Sequence, residues 1–594
     1  MARPIPPAAL LLALLAACAP GSGPPEQVAG LGPADPPSEW IVVDFVDGTT
    51  KAEFDAWEQA WGIDLEYNSV MGPETGITLA HVDGDPEQVL ARIRTHPAVE
   101  AAEPLERYEA LWEPNDPDYK LQWHLAKVGA AEAWDQSRGR GVVVAVIDTG
   151  IAYTRYGKTF RVVEDLEGAR FVPGWDFVHE RPEAVDDHGH GTHVAGTIAQ
   201  VTNNGKGVAG LAPEAALMPL KVLSAQGYGN SADIADAIRW AADHGASVIN
   251  MSLGGGGYSH VMANAVKYAR KKGVVIVAAA GNSGRRGVSY PAAYDGVIAV
   301  SATRYDDALA PYSSYGPQVD IAAPGGDKSV DQNGDGYPDG VLQNTIAIGR
   351  PGTDVYEWFQ GTSMATPHVA AAAALVMATG ITDPDAVEEV LTSSARKVAG
   401  QNGPNEKYGH GVLDAAAALR AGQGRRGLGR FLWAAVVFLL LLLRRGWPAA
   451  GAASSVLLRP SFVVGAVLAG VGLFFLPWVL PPFAGEAVLS SALLDWGLYA
   501  FGPRWHANPL TYSAALPLLA GLLLFHKRSL RPLLSGLAAG TAAFLLHALF
   551  ARQVDVVLLP GRLLDLVWLA ANAALAFFLA WSMSRPEASR SEVS

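Results

Sequence analysis

Val143-Val144-Ala145-Val146-Ile147-Asp148-Thr149-Gly150 is an apolar run that ends in a carboxylate and a turn pair. An unalternated run of this length reads as a strand buried on both faces, with Asp148 at its carboxyl end. Val274 to Ala280 is a second such run, ending at Gly281-Asn282. From about Trp123 to Leu419 short apolar runs alternate with helical patterns, as in β-α-β units. The region is therefore read as α/β, with a doubly wound, mostly parallel sheet. Open sheets of that kind place their chemistry outside the carboxyl ends of the strands, where Asp148 stands.

Two further stretches carry reactive side chains. His190 lies in Gly189-His190-Gly191-Thr192-His193-Val194-Ala195-Gly196, and Ser363 in Gly361-Thr362-Ser363-Met364-Ala365-Thr366-Pro367. Ala280-Gly281-Asn282-Ser283-Gly284 lies between them. Singly, each has a plainer reading as a turn, a helix start or a loop. Jointly, in the order Asp, His, Ser, they resemble the frames of the subtilases, a family of serine peptidases. The resemblance covers about half of the chain and implies a subtilisin-like fold with Asp148, His190 and Ser363 as a triad.

A serine hydroxyl needs a base within hydrogen-bond reach to attack a peptide carbonyl at neutral pH. His190 is expected to be that base and must be neutral to act, so an ordinary pKa of ~6.5 predicts loss of activity in acid. Asp148 would hold the imidazole tautomer and stabilise the cation that forms. Ser363 begins a helical stretch whose N-terminal dipole favours developing negative charge. Its backbone N–H and the side-chain amide of Asn282 are expected to form the oxyanion hole.

Ser252-Leu253-Gly254-Gly255 and Ala278-Ala279-Ala280-Gly281 resemble the cleft edges on which the family pairs an extended peptide as an added strand. Ser289, before Tyr290-Pro291, is expected near the base of the pocket beside the cut bond. His188, His193 and His368 read as structural, and no third ligand arrives at zinc spacing.

Asp331-Gln332-Asn333-Gly334-Asp335-Gly336-Tyr337-Pro338-Asp339 alternates oxygen side chains around glycine, as calcium loops do. Ca2+ is expected on Asp331, Asn333, Asp335 and Asp339, although Leu342 stands where a closing Glu belongs; a solvated turn loop is the other reading. Asp165 with Asn203 to Val208 is a second candidate calcium site. No organic cofactor is expected.

The net charge of −14, with no long basic run, argues against nucleic acid as a partner. Arg3 followed by the apolar segment Ala8 to Ala17 reads as a signal peptide. Leu15-Ala16-Ala17-Cys18 resembles a bacterial lipobox, with Cys18 as the lipidated residue; an ordinary signal peptide is the alternative. Cys18 is the single cysteine, which excludes an intrachain disulfide. Residues 19–39, rich in Gly and Pro, read as a flexible linker.

Residues 40–112 read as a small α+β domain: strands at Ile41 to Val46, Gly76 to Val82 and Val99 to Glu106, helices with Phe54, Trp57, Ala60 and Trp61 on one face and at Glu87 to Ile93. Size and position resemble the family's propeptide, which implies an intramolecular inhibitor removed between about Tyr108 and Pro114. An unrelated extracellular domain is the other reading. Residues 113–421 are then the catalytic domain. Residues 422–594 are expected to open with a linker at Gln423 to Gly427 and to form a bundle of about five membrane helices. The apolar runs are Phe431 to Leu443, Phe462 to Phe483, Leu510 to Phe525, Leu533 to Phe550 and Leu563 to Met583.

Arg444, Arg445, Arg459, Lys527, Arg528, Arg531, Arg585 and Arg590 would share one side, which the positive-inside rule makes cytoplasmic. Arg425, Arg426 and Arg430 on the other side blur that assignment. The leading expectation is an endopeptidase of the bacterial cell envelope, multi-pass in the cytoplasmic membrane, made as a zymogen and acting on polypeptides outside the cytoplasm. A secreted peptidase freed of its tail, or a catalytically silent membrane-bound scaffold, are the alternatives.

Overall fold

The computed structural model describes residues 40–105, with breaks at 47, 70 and 83–85, and residues 113–445 without a break. Toward the C-terminus it describes 456–473, 489, 491–496, 508–551, 556 and 562–584. The signal peptide, Cys18, the linker 19–39, the cut region from Tyr108 to Leu111, and Arg585 and Arg590 lie outside the described residues. What is described divides into two compact units, 40–105 and 113–584.

The first unit is an antiparallel sheet with two longer helices and a one-turn helix at Gly72–Thr75, built from β1 (Trp40–Phe45), α1 (Lys51–Trp61), β2 (Glu66–Tyr67), β3 (Ile77–His81), α2 (Pro86–Ile93) and β4 (Val99–Pro104). The strand order is β2-β3-β1-β4. Alternate β1 residues Ile41, Val43 and Phe45 are buried against Phe54, Leu90 and Ile93 of the helices, as a sheet with one wet face requires. Phe54, Trp57 and Trp61 take the expected inward face of α1, whereas Ala60 is exposed. The short β2 was not foreseen because two residues carry no periodicity.

In the second unit β5 (Val143–Asp148) is central. Val144 and Val146 point into one core, with α3 (His190–Ala199). Val143, Ala145 and Ile147 point into the other, as a period of two demands when both faces are covered. The remaining strands are β6 (Ala216–Lys221), β7 (Val248–Met251), β8 (Val275–Ala279), β9 (Ile298–Thr303) and β10 (Ile321–Pro324), and each pairing among them is parallel. Helices α4 (Ser231–Asp243) and α5 (His260–Lys271) cover the second face. The spatial order is β10-β9-β8-β7-β5-β6, with two short strands at the β6 edge. The chain therefore leaves β5 to one side for β6 and returns to its other side for β7. That reversal opens a crevice at the carboxyl ends of β5 and β7.

After β10 comes a long hairpin of β11 (Val341–Ala347) and β12 (Arg350–Phe359). It leads into α6 (Thr362–Ala378), which is buried on every side from Met364 to Met377, as befits a helix in the middle of a large core. α7 (Pro384–Ser394) starts from Asp383, whose carboxylate accepts from Asp385 N and Ala386 N.

α8 (Ala415–Arg445) corrects the expected linker, because Gln423 to Gly427 lie within one continuous helix of 31 residues. The glycines there serve close approach. A Cβ on Gly422 would sit 2.8 Å from Ile381 Cδ1, and one on Gly429 would sit 2.4 Å from the His547 ring.

Beyond α8 lie α9 (Pro460–Gly470), α10 (Ala515–Leu524), α11 (Arg531–Ala551) and α12 (Arg562–Met583). Among the described residues three helices are long and apolar enough to cross a membrane: Ala415–Leu443, Arg528–Ala551 and Leu563–Met583. The runs at Phe462 and Leu510 give helices of 11 and 10 residues instead. Residues 474–483 of the former lie outside the described residues. α9 stops at Gly470, followed by left-handed Gly472, and residues before α10 are held in a turn whose amides Leu510 N and Thr511 N donate to Asn508 Oδ1. Gly536 and Gly540 bring α9 against α11, since a Cβ on either would lie within 2.4 Å of the Phe462 or Ala466 carbonyl. Small residues four apart allow that contact between apolar helices.

Candidate active site

Asp148 ends β5 fully buried, and its Oδ1 accepts from Thr149 N at 2.8 Å and pairs with His190 Nδ1 at 2.7 Å. Its Oδ2 is buried without a hydrogen-bond partner, which leaves the carboxylate charge to act chiefly on the imidazole. His190 is the first residue of α3, preceded by Gly189 at φ +108°. A Cβ on Gly189 would meet the Ile346 carbonyl at 2.7 Å, so only glycine allows both the turn and the hairpin behind it.

The loop before His190 is organised by Asp186, which the sequence reading did not single out. Its Oδ1 accepts from Thr149 Oγ1, His188 N and Gly189 N, and its Oδ2 from Thr192 N and Oγ1. Burial lowers the pKa of His190, but the charge and hydrogen bond of Asp148, with Asp186 behind, outweigh it, and the net direction is upward from the ordinary value.

Ser363 is the second residue of α6. Pro367 has no N–H to give to the Ser363 carbonyl four residues back. That carbonyl accepts instead from Ser252 Oγ at 2.7 Å, while Ser363 Oγ donates to the Ser252 carbonyl at 3.0 Å. Two hydroxyls thus tie the start of α6 to the end of β7. In this arrangement the Ser363 hydroxyl rests on Ser252, and rotation about one bond turns it to another acceptor.

Asn282 follows β8. Its Oδ1 accepts from Thr362 N and Thr362 Oγ1, both at 2.9 Å. These donors fix which end of the amide is oxygen and leave Nδ2 as a donor for an incoming group. His190, Ser363, Asn282 and Thr149 line one cleft of about 870 Å³.

Ser252, Leu253, Gly254 and Gly255 line the same cleft. Ala280, Gly281 and Ser289 lie behind it: Ser289 N donates to the Ala280 carbonyl, and the Ser289 side chain packs on Gly254 and Gly281, where added Cβ atoms would come within 3.1 and 2.5 Å. The opposite wall, formed by residues 226–231 with Tyr290 and Tyr294, was not foreseen from the sequence. The one available signal was the Tyr-Pro pair following Ser289.

Of the other histidines, His188 lines the cleft, whereas His193 and His368 are buried and bond backbone carbonyls. His193 Nε2 donates to the Val341 and Glu357 carbonyls, the ring stacks on Phe359 at 4.2 Å, and burial pushes its pKa down to about 3. His368 Nδ1 donates to the Met364 carbonyl and its Nε2 faces His124 Nδ1 at 2.8 Å; burial pushes its pKa down to about 4.

In the loop 331–339, Asp331 accepts from Gly334 N and Gly336 N, Asn333 from Asp335 N, Asp335 from Tyr337 N and Asp339 from Gln332 N. Only Asp339 Oδ1 is a buried oxygen without a partner. Asp165 is likewise engaged, by Asn204 Nδ2 and Val208 N, and burial pushes its carboxyl up to about 7. Among the described residues no three His, Cys, Asp or Glu side chains gather as a metal site. The expected calcium ligands therefore do not form a ready cage, because loop amides occupy their oxygens.

Residues 139–411 match the model of the subtilase family. Among curated relatives, a thermophilic serine proteinase of Bacillus sp. strain AK1 is 40% identical over 55% of this chain and 74% of its own. Thermitase of Thermoactinomyces vulgaris is 39% identical over 48% of this chain and 93% of its own. Subtilisin Savinase of Lederbergia lenta is 40% identical over 50% of this chain and 99% of its own. The chain belongs to the subtilase family and is a subtilisin-like serine peptidase.

Proposed function

We propose that this chain is a serine endopeptidase held at the cell envelope by its C-terminal helices and made as a zymogen. The observation that carries the reading is the 2.7 Å pair of buried Asp148 with His190 in the cleft that also holds Ser363 and Asn282. In the reaction, Ser363 Oγ leaves the Ser252 carbonyl and passes its proton to His190 Nε2 as it attacks the scissile carbonyl. Asp148 holds Nδ1–H and balances the imidazolium. Ser363 N–H and Asn282 Nδ2 stabilise the oxyanion, a contribution worth on the order of 10² to 10³ in turnover per donor. The imidazolium then returns its proton to the leaving amine, and water repeats the sequence on the acyl-enzyme.

The peptide is bound as an added strand along Ser252 to Gly255, with Ser289 packed behind Gly254 and Gly281. A calcium ion in the loop 331–339 would be held by Asp331, Asn333, Asp335 and Asp339 only after the loop amides are displaced, so no step runs through a metal. The α+β unit 40–105 has the size and position of an inhibitory propeptide. Its removal would part the enzyme from a lipid on Cys18 and leave the helices as the anchor.

Support for that anchor is the apolar surface of α8, α10 and α12, where Phe431, Leu443, Leu522, Leu523, Leu563 and Phe578 are more than half exposed. Patches of that extent belong against lipid or protein. With the basic residues near Lys527 inside, the peptidase lies outside the cytoplasm. A fluorophosphonate probe is expected to modify the matured full chain at Ser363, read by mass on the peptide that contains it. An unmodified Ser363 in folded, matured protein would favour the silent scaffold.

A further inference from the structure

The continuous helix α8 joins the peptidase to its tail without a hinge. Ala415, Ala416, Ala418 and Leu419 are in the core of the peptidase, and Val437 and Leu441 of the same helix are in the core of the C-terminal bundle. Between them, Arg426 and Arg430 lie one turn apart and both reach Asp495 of the tail. Arg426 Nη2 is 3.1 Å from each Asp495 oxygen, Arg430 Nη1 bonds Oδ2, and Tyr512 Oη donates to Oδ1 at 3.2 Å. All four side chains are buried. Arg426 Nη1 also bonds the Thr379 carbonyl at the C-terminal end of α6, the helix that starts beside Ser363. Trp568 Nε1 of α12 donates to the Tyr512 carbonyl at 2.8 Å and carries the connection on into the bundle.

Exposed apolar side chains on α8 begin at Leu428, Phe431 and Leu432, beside this cluster. The cluster thus marks where the peptidase ends and the apolar belt begins. α6 has 17 residues, about 25 Å at 1.5 Å per residue. Ser363 accordingly stands about 25 Å along α6 from the Thr379 carbonyl that Arg426 bonds beside the belt, a span of roughly eight extended residues.

We infer that the Arg426–Arg430–Asp495 clamp and unbroken α8 mount the active site at a fixed, short height over the bilayer, and so select membrane-anchored polypeptides whose cut bond lies close to the membrane. The inference rests on the reading of Ser363 as the nucleophile of a membrane-held peptidase. A fixed mount cannot descend to a bond that is tethered too short. Longer tethers dilute the bond as the effective concentration falls with length.

The test uses the full chain in vesicles of phosphatidylethanolamine and phosphatidylglycerol. Substrates carry one cleavable segment on a membrane span through Gly/Ser tethers of about two to about forty residues, and the same segment is offered as a soluble peptide. A variant with about twelve Gly/Ser residues inserted between Gly424 and Arg425 supplies a flexible mount. The unmodified chain is expected to cut tethers only above an onset at or below about eight residues, with an optimum there and a fall of about tenfold toward the shortest and the longest. The insertion variant, with unchanged soluble-peptide turnover, is expected to cut the shortest tethers as well and to lose the optimum. Soluble turnover with a flat tether profile in the unmodified chain would overturn the inference and leave the peptidase reading intact. Absence of soluble turnover in the unmodified chain would sink that reading and the inference with it. If the insertion variant loses soluble turnover, the profile of the unmodified chain decides alone.

Discussion

Ser363→Ala is expected to lower kcat for a peptide amide on the order of 10⁶-fold, the loss that follows when a triad nucleophile is removed. That corresponds to about 8 kcal/mol of transition-state stabilisation. The same variant should fold. It loses one hydrogen bond, from Ser363 Oγ to the Ser252 carbonyl, worth about 1 kcal/mol. The reciprocal bond from Ser252 Oγ to the Ser363 carbonyl survives, because Pro367 leaves that carbonyl free. Thermal unfolding of the two proteins should therefore differ by a few degrees, while single-turnover assays differ by the full factor. Comparable turnover in the variant would remove Ser363 from the chemistry.

Asp148→Asn is expected to cost on the order of 10⁴ in kcat, because an amide at this position favours the wrong imidazole tautomer. Its effect on pH is the sharper readout. In the wild-type protein the Asp148 carboxylate is the largest influence raising the His190 pKa, against the lowering effect of burial. His190 acts only when neutral, so activity falls as pH drops through its pKa, and the wild-type acid limb of kcat/KM should lie above the ordinary ~6.5. Removing the carboxylate leaves burial to dominate and should carry the limb to lower pH. An unmoved limb would mean that another group sets it.

The residues that the structure brings together at the candidate site were legible in the sequence because their frames are local. Asp148, His190, Asn282 and Ser363 each sit beside a turn or helix start that a few neighbours encode, and the β5 run announces its strand. What was not legible depends on residues far away in the chain. Asp186 reads as one of two acids in a loop until five donors are seen to converge on it. The glycines of Gln423 to Gly427 and their neighbours signal a linker locally, yet α8 runs through them because Ile381 and His547 pack where side chains would be. Arg426 and Arg430 looked like loop charges that blurred the membrane orientation, because Asp495 lies 65 or more residues on. Hydropathy marked five apolar runs, but it does not register a helix stop at Gly470 or the Asn508 turn, and three helices of spanning length remain among the described residues.

The most direct measurement is the identity of both termini of the protein recovered from membranes, for the wild-type chain and for Ser363→Ala side by side. The expected wild-type N-terminus lies between about Tyr108 and Pro114 with α12 retained, and the Ser363→Ala chain is expected to keep residues 40–105. A Ser363→Ala chain trimmed at the same place in the absence of any other active copy, or a wild-type chain that ends before Arg426, would contradict this expectation.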